Sequence, residues 1–540
     1  MMSERPNILF IHTDQQRFDT LGCYGNNTIN TSNIDNLAKG GTLFENAHCT
    51  HPLCMPSRGT LLTGRYPSAH GLWRNGMSLP KEEDTIASLL KEHGYATGLF
   101  GKAHFTPHNG NLDKHPESIH LGNVKEDECW EYWRNFNPPY YGFDQVEMTI
   151  AHSDHGIHGG HYGLWLHENH RDKIELFYQE SAIETTNPKL SSWKSAVPKD
   201  IHSTTWVANR TIDYIKDEER EDPFFAWVGF PDPHFPLDPP DPYCYKYNPE
   251  QLPSPRDPNG TVWPDELPNY VEYYLKRGDW SDISKKERQE AIANYYGMID
   301  MVDDYVGKIL AALKEENIAD NTIVVFTSDH GEWLGDHGLW FKGSIHTRGI
   351  TQIPWIIRWP EMNNPRKKVE TVTSQIDLVP TLLDMVGINI PYGIQGKSLY
   401  SVIKEEQEST RPYALIEHRH EKYREDSQFV KNNFISDQPE DVMSSHNFLN
   451  WGNKDIRIKT IVTDKYRYSY VTGISQNYSE LFDLTKDPNE KKNLWNSNSK
   501  LRDKARKELL QAVIESEDPL PERKHRNSGW EPPAFGAVSE

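Results

Sequence analysis

Four short apolar runs, each closed by charged or histidine residues, restrict what this chain can fold into. Asn7–Asp14 (NILFIHTD) ends in an acid, and Ala96–Phe105 (ATGLFGKAHF) carries Lys102 and His104. Pro223–Pro236 (PFFAWVGFPDPHFP) carries His234, and Asn321–Glu332 (NTIVVFTSDHGE) carries Asp329 and His330. Nearly continuous β-branched and aromatic runs of this kind suit strands covered on both faces. Amphipathic segments lie between them, at Thr85–Gly94 and from Ser284, a candidate N-cap, to Glu316. The alternation predicts a doubly wound α/β sheet with helices on both faces, and such sheets bind ligands outside the carboxyl ends of their strands. The polar ends of the four runs are therefore expected along one edge.

At 540 residues the chain exceeds the length of about 250–300 at which one hydrophobic core stops growing. We expect a large N-terminal domain over 1–395, with insertion loops over the carboxyl edge at about 106–203 and 232–283, and a C-terminal subdomain over 396–540. In the latter, Asp455–Gly473 alternates at period two about a Thr-Asp turn, as a β-hairpin does, and Leu501–Glu517 reads as an amphipathic helix. The last twenty or so residues read as an extended tail packing on the body or on a second copy in a homo-oligomer.

The formal charge of −21 argues against nucleic acid and anionic membranes as partners. It leaves room for a small anionic substrate held by local cations. Five cysteines with no CxxC pair do not make a disulfide framework, and a reducing compartment fits them. The start, MMSERPNILFIHTD, has no basic stretch before an apolar core, and no run of 18 apolar residues occurs. The expected location is cytoplasmic, or periplasmic or secreted if a leader has been trimmed.

Three groups carry the chemistry. Asp14, Gln15, Asp329 and His330 offer two carboxylates, an amide and an imidazole to one cation; oxygen-rich donors favour Ca²⁺ or Mg²⁺, and the imidazole admits Mn²⁺ or Zn²⁺. Arg58, Lys102, His104, His234 and Lys342 form a cationic set suited to charge on a tetrahedral oxyanion, as sulfuryl or phosphoryl transfer requires. Lys102 and His104, two apart on a strand, are expected on one face. Cys54 opens CMPSRGTLLTG, which reads as a helix with proline in its first turn and a stop near Gly64. The positive field of that helix start, with Arg58 one turn on, makes a thiolate nucleophile the first expectation.

The run CMPSRGTLLTGR, Cys54 to Arg65, resembles the C-x-P-S-R-x-x-x-x-T-G-R signature of type I sulfatases. The family's other elements follow in order: a first strand ending in Asp14, G-K-x-H at Gly101–His104, P-H-x-P at Pro233–Pro236, and TSDHGEWLGDH at Thr327–His337 with Lys342 beyond. The resemblance covers about Pro6 to Gly396 and extends weakly through Glu480–Leu494. It implies an alkaline phosphatase-like fold, a large mixed sheet flanked by helices with a smaller C-terminal α+β subdomain. It also implies oxidation of Cys54 to formylglycine by a formylglycine-generating enzyme, calcium as the usual metal, and Cys54 itself among the metal contacts. In the family mechanism the hydrated aldehyde attacks sulfur beside Arg58, Lys102 and Lys342 clamp the sulfate, His234 assists the leaving oxygen, and His104 takes the proton that expels sulfate. One departure stands out. Many members carry two adjacent acids after the first strand, and here the second is Gln15. An Asp-Gln start resembles the phosphonate monoester hydrolase branch, which as a rule lacks the lysine and histidine of G-K-x-H that this chain has.

The reading is thus a sulfatase acting on a sulfated mono- or oligosaccharide, with a shaped pocket and action at chain ends. A phosphonate monoester or phosphodiester hydrolase with the same nucleophile and a non-catalytic binder of sulfated glycans are the alternatives. Candidate substrate contacts are Trp73, Arg74 and Asn75 after the catalytic helix, His155 in the His-rich run His152–Gly163, and His346 and Arg348 beyond Lys342. That run is also a candidate second metal site.

Overall fold

The computed structural model describes residues 5–260, 262–263, 271, 275, 280–362, 365–420, 456–472 and 478–517. Its centre is an eight-stranded mixed sheet. The strands are β1 (Asn7–Thr13), β2 (Thr42–Phe44), β3 (Ala96–Lys102), β4 (Gln145–Thr149), β5 (Phe224–Phe230), β6 (Thr322–Ser328), β7 (Trp355–Arg358) and β8 (Lys368–Val369). They lie in the order β8-β2-β7-β6-β1-β5-β3-β4. The five strands from β6 to β4 are mutually parallel, while β7 runs antiparallel to both its neighbours.

The central strands are largely apolar because both faces are covered. Leu9 and Ile11 of β1, Val228 of β5 and Phe326 of β6 enter one core; Ile8, Phe10, Phe225, Trp227 and Val325 enter the other. Nine helices of seven or more residues are labelled here: α1 (Ser32–Gly40), α2 (Cys54–Thr63), α3 (Ile86–Glu92), α4 (Glu126–Arg134), α5 (Gly160–Asn169), α6 (Ser203–Ile215), α7 (Lys285–Glu315), α8 (Leu378–Met385) and α9 (Ser499–Glu515). Helices α6 and α7 cover the first face, and α2, α3 and α8 the second. The start of α7 is fixed by a reciprocal cap: Ser284 Oγ accepts from Glu287 N, and the Glu287 carboxylate accepts from Ser284 N at 2.8 Å.

A separate antiparallel sheet follows, β9 (Ala414–His420), β10 (Ile456–Val462), β11 (Tyr466–Thr472) and β12 (Ser479–Asp483), in that order. One of its faces packs on α9 through Leu415, Ile461, Tyr468, Leu509 and Ala512. The other places Ile456, Ile458 and Val471 against Trp333, Leu339, Ile345 and Ile350 of the segment after β6. The expected hairpin is β10–β11. The expected tail lies outside the described residues.

The stretch 106–203 is not the run of insertion loops that its weak periodicity suggested. It contains β4, an edge strand of the main sheet, and helices α4 and α5. An edge strand is buried on fewer sides, so QVEMT mixes polar and apolar residues and gives no continuous apolar run.

Candidate active site

Five parallel strands deliver side chains to one edge. Asp14 and Gln15 follow β1, Lys102 ends β3, His152 follows β4, His234 follows β5, and Asp329 and His330 follow β6. Helix α2 brings Cys54 to the same place. Its start faces the edge, and its end is closed by Gly64 in the left-handed conformation (φ 65°).

Asp14 and Asp329 divide their oxygens in the same way. Asp14 Oδ2 meets Lys102 Nζ at 2.6 Å and Arg58 Nη2 at 3.1 Å, and Asp329 Oδ2 meets Arg58 Nε at 2.9 Å. Asp14 Oδ1 lies 3.5 Å from Cys54 Sγ and 3.9 Å from His330 Nε2; Asp329 Oδ1 accepts from the backbone N–H groups of Gln15 (3.0 Å) and His330 (2.8 Å). Arg58, 0% exposed, also donates to the Lys102 carbonyl oxygen at 2.8 Å. Lys342 Nζ stands 2.8 Å from Cys54 Sγ and 3.9 Å from Asp14 Oδ1. Three full cations thus face two carboxylates.

The electrostatics follow from burial and pairing. Burial would push the Asp14 carboxyl up, but Lys102, Lys342, His234 and Arg58 together hold it well below the usual carboxylate range. Burial pushes the Cys54 thiol up, Asp14 adds to the shift, and Lys342 and Lys102 do not reverse it. Against the expectation of a thiolate nucleophile, burial and the neighbouring Asp14 carboxylate both favour the neutral thiol. Burial, then Lys342 and Lys102, lower His234, whereas burial, Lys102 and His108 lower His104.

The donor set fits a divalent cation. One ligand atom each from Asp14, Cys54, Asp329 and His330 lies within 4.8 Å of the others. His330 Nδ1 bonds the Gly331 carbonyl oxygen at 2.9 Å, which leaves the Nε2 lone pair toward Cys54, 3.3 Å away. Gln15 Oε1 is buried without a hydrogen-bond partner, while its Nε2 donates to Glu332, whose carboxyl burial pushes up to about 7. A second group, Asp14, His152 and His234, has similar spacing. Lys102 Nζ lies between two of its members, 2.6 Å from Asp14 and 2.5 Å from His152, so an ammonium stands where a second metal would be.

Cys54, Arg58, Lys102, Lys342, Asp14, Gln15, Asp329 and His330 are therefore together, with His234 beside them. The pairing of Lys102 with His104 by strand alternation does not hold: β3 stops at Lys102, and His104 lies beyond it with φ 60°, its ring stacked on His108 at 4.5 Å. His104 remains within the electrostatic reach of Lys102, Arg58 and Asp14. Of the substrate candidates, His155 has a side chain 63% exposed and pairs with Asp154. His346 is a correction, buried with Nδ1 on Thr460 Oγ1 at 2.8 Å, against the C-terminal sheet. Arg348 is a second; it bonds Gln352, its backbone N–H donates to Glu490, and its guanidinium lies over Phe18. Trp73 and Arg74 are partly buried, with Arg419 over the Trp73 ring at 5.3 Å, and Asn75 Oδ1 accepts from Met55 N in the first turn of α2.

Two supports lie behind Asp329: Ser57, which the signature contains without showing its role, and Gln375, which no motif marks. Ser57 Oγ donates to the Asp329 carbonyl oxygen at 2.5 Å and to Gln375 Oε1, and Gln375 Nε2 donates to the same carbonyl at 3.1 Å. His152 was hidden among four histidines in one run.

A family model described as Sulfatase matches residues 6–388. The chain is 31% identical over 503 residues to an arylsulfatase of Clostridium perfringens, covering 91% of each chain. It is 25% identical over 425 residues to an N-acetylglucosamine-6-O-sulfatase of Bacteroides thetaiotaomicron, covering 75% of this chain and 72% of that one. Its fold matches the crystal structure of a phosphonate monoester hydrolase of Agrobacterium radiobacter with a TM-score of 0.75 at 25% identity, over 95% of this chain and 96% of the other. With the family model spanning residues 6–388 and 31% identity to an arylsulfatase over 91% of each chain, the chain belongs to the sulfatase family, sulfuric ester hydrolases of alkaline phosphatase-like fold.

Proposed function

We propose that this sulfatase removes a sulfate ester from the end of a sulfated mono- or oligosaccharide, with formylglycine made from Cys54 and a bound calcium ion. One observation carries the reading. The Cys54 side chain sits where two half-committed carboxylates, an imidazole and the Lys342 ammonium meet, the only described group that has both a metal-ligand set and an oxyanion clamp around one side chain. The relative that acts on N-acetylglucosamine 6-O-sulfate supports a saccharide substrate.

Asp14, Asp329, His330 and Gln15 would hold the cation, which supplies Lewis-acid polarisation of a sulfate oxygen and of the nucleophile at position 54. Formylglycine, as its hydrate, supplies an oxygen nucleophile where the thiol stands. The remaining work belongs to this chain's own residues. Lys102 and Lys342 bind the sulfate oxygens, and Arg58 fixes the Oδ2 atoms of Asp14 and Asp329 so that their Oδ1 atoms keep their direction. His234 bonds the Phe235 carbonyl oxygen through Nδ1, so Nε2 is the atom that would first take up a proton, favoured by the charge of a bound sulfate, and then pass it to the leaving alcohol. His104, buried with an unpartnered Nδ1, takes the proton whose loss releases sulfate.

A second reading, phosphonate monoester hydrolysis, is favoured by Gln15 after Asp14 and by the Agrobacterium neighbour. The test is protein co-expressed with a formylglycine-generating enzyme, assayed on an aryl sulfate, a terminally sulfated oligosaccharide and a phosphonate monoester. Higher kcat/KM on the sulfates is expected. Higher kcat/KM on the phosphonate overturns the reading, and sulfate release only from polymer interiors overturns its chain-end specificity.

A further inference from the structure

His152 has no part in the mechanism above, yet it touches two residues that do. Its Nε2 lies 2.5 Å from Lys102 Nζ, and its ring stacks on that of His234 with centroids 3.5 Å apart and planes within 4°. It reaches this position from a bent loop after β4. Ala151 (φ 55°) and Ser153 (φ 40°) on either side are left-handed, a conformation that costs about 1–2 kcal/mol in residues other than glycine. Ser153 Oγ donates to Asp238, four residues beyond His234, so one hydrogen bond ties the loop of His152 to the loop of His234.

The hydrogen-bond chemistry of Lys102 gives the role. An ammonium has three N–H groups and accepts nothing. Asp14 takes one, and a ring nitrogen that takes another must carry a lone pair. Among the described residues Lys102 Nζ has no third partner, and the side chain is 1% exposed. A flexible four-carbon stem is otherwise poorly suited to holding one direction.

We propose that His152 is a positioning residue: its Nε2 and the Asp14 carboxylate together hold two N–H groups of Lys102, which aims the third at a bound oxyanion. The inference rests on the reading of Lys102 as part of the sulfate clamp. The stacked His234 ring is held by the same imidazole, so the clamp and the group serving the leaving oxygen are set by one side chain from the edge strand.

Three variants separate this role from mere packing. In His152→Gln the side-chain oxygen reaches the place of Nε2; in His152→Asn the polar atoms reach only that of Nδ1; His152→Ala removes both. Inorganic sulfate is the probe, its dissociation constant read from the concentration dependence of Tm, which needs no turnover. General stabilisation by sulfate is common to all variants and cancels in the comparison. The dissociation constant is expected to rise about tenfold in the Ala and Asn variants and to stay within about threefold of wild type in the Gln variant, as suits loss of one charge-assisted hydrogen bond. On an aryl sulfate, kcat/KM should follow the same order. Equal sulfate affinity in wild type and His152→Ala overturns the proposal, as does a Gln variant no better than Asn. Wild type that binds sulfate with this variant pattern but cleaves no sulfate ester overturns the proposed function alone; wild type that binds no sulfate overturns both.

Discussion

Replacing Arg58 by alanine isolates what the buried charge cluster costs and provides. Its guanidinium spans Asp329 Oδ2 at 2.9 Å, Asp14 Oδ2 at 3.1 Å and the Lys102 carbonyl oxygen at 2.8 Å, with no exposure to solvent. Asp14 keeps Lys102 at 2.6 Å when Arg58 is lost, but Asp329 Oδ2 loses its ion-pair partner. Removing one partner of a buried ion pair costs about 3–5 kcal/mol, because the remaining charge is left desolvated. An unfolding entropy of about 2.1 cal/mol/K per residue over roughly 390 residues gives about 0.8 kcal/mol per degree, so Tm should fall by about 4–6 °C. That fall belongs to the chelator-treated protein. With calcium bound, the carboxylates regain a counter-charge and the fall should be smaller. Activity on an aryl sulfate should drop by about 10²–10³ in both conditions, as for loss of a preorganised charge. Arg58→Lys should recover part of the Tm and little activity, since an ammonium cannot span both carboxylates. Scanning fluorimetry with and without calcium, beside steady-state kinetics, makes the test. An alanine variant as stable as wild type without metal would refute the claim that Arg58 compensates Asp329.

Three further outcomes are expected. Mass spectrometry of the peptide Gly41–Arg58 from protein made with a converting enzyme should show an aldehyde at position 54, and Cys54→Ala should abolish turnover while leaving the far-ultraviolet circular dichroism unchanged. Asp303 accepts from the backbone N–H groups of Asn33 and Ile34 at the start of α1, and burial pushes its carboxyl up to about 6. A raised folded-state pKa favours the protonated native form, so this group's contribution to stability, up to about 3 kcal/mol, is present below about pH 4 and lost as pH rises to about 6; Asp303→Asn should flatten Tm against pH in that window relative to wild type. Arg348→Ala should lower Tm by a few degrees through loss of the Gln352 and Phe18 contacts, with KM for a sulfated sugar changed less than twofold; a tenfold rise in KM would return Arg348 to the substrate pocket.

What the sequence disclosed of this fold depended on how fully each element is buried. Strands β1, β3, β5 and β6 lie inside the sheet, and each read as a nearly continuous apolar run whose next polar residues fell at the carboxyl edge. Asp14, Lys102, Asp329 and His330 were legible for that reason. Strand β4 lies at the border with a partly exposed pattern and no continuous apolar run, so the fifth strand end is not legible there and His152 reads only as one histidine of a His-rich run. Nothing local distinguishes His152 from His155: one stacks on His234 and the other points to solvent because of two left-handed residues that no periodicity reveals. His346 and Arg348 failed as substrate candidates for a different reason. Their partners Thr460 and Glu490 come from the C-terminal segment more than a hundred positions away.

The charge arrangement explains how a chain of net charge −21 can hold an anion. Burying Arg58, Lys102 and Lys342 together without compensation would be prohibitive, and Asp14 and Asp329 supply it. Each carboxylate gives one oxygen to the cations and keeps the other toward Cys54 and His330. The same two acids therefore neutralise the clamp in the resting protein and present ligands to a metal. The excess positive charge is small until a divalent ion adds to it, so affinity for an oxyanion should rise with metal occupancy. Surface acidity does not oppose this, because fully buried pairs a few ångströms apart are screened by each other far more than by distant surface charge.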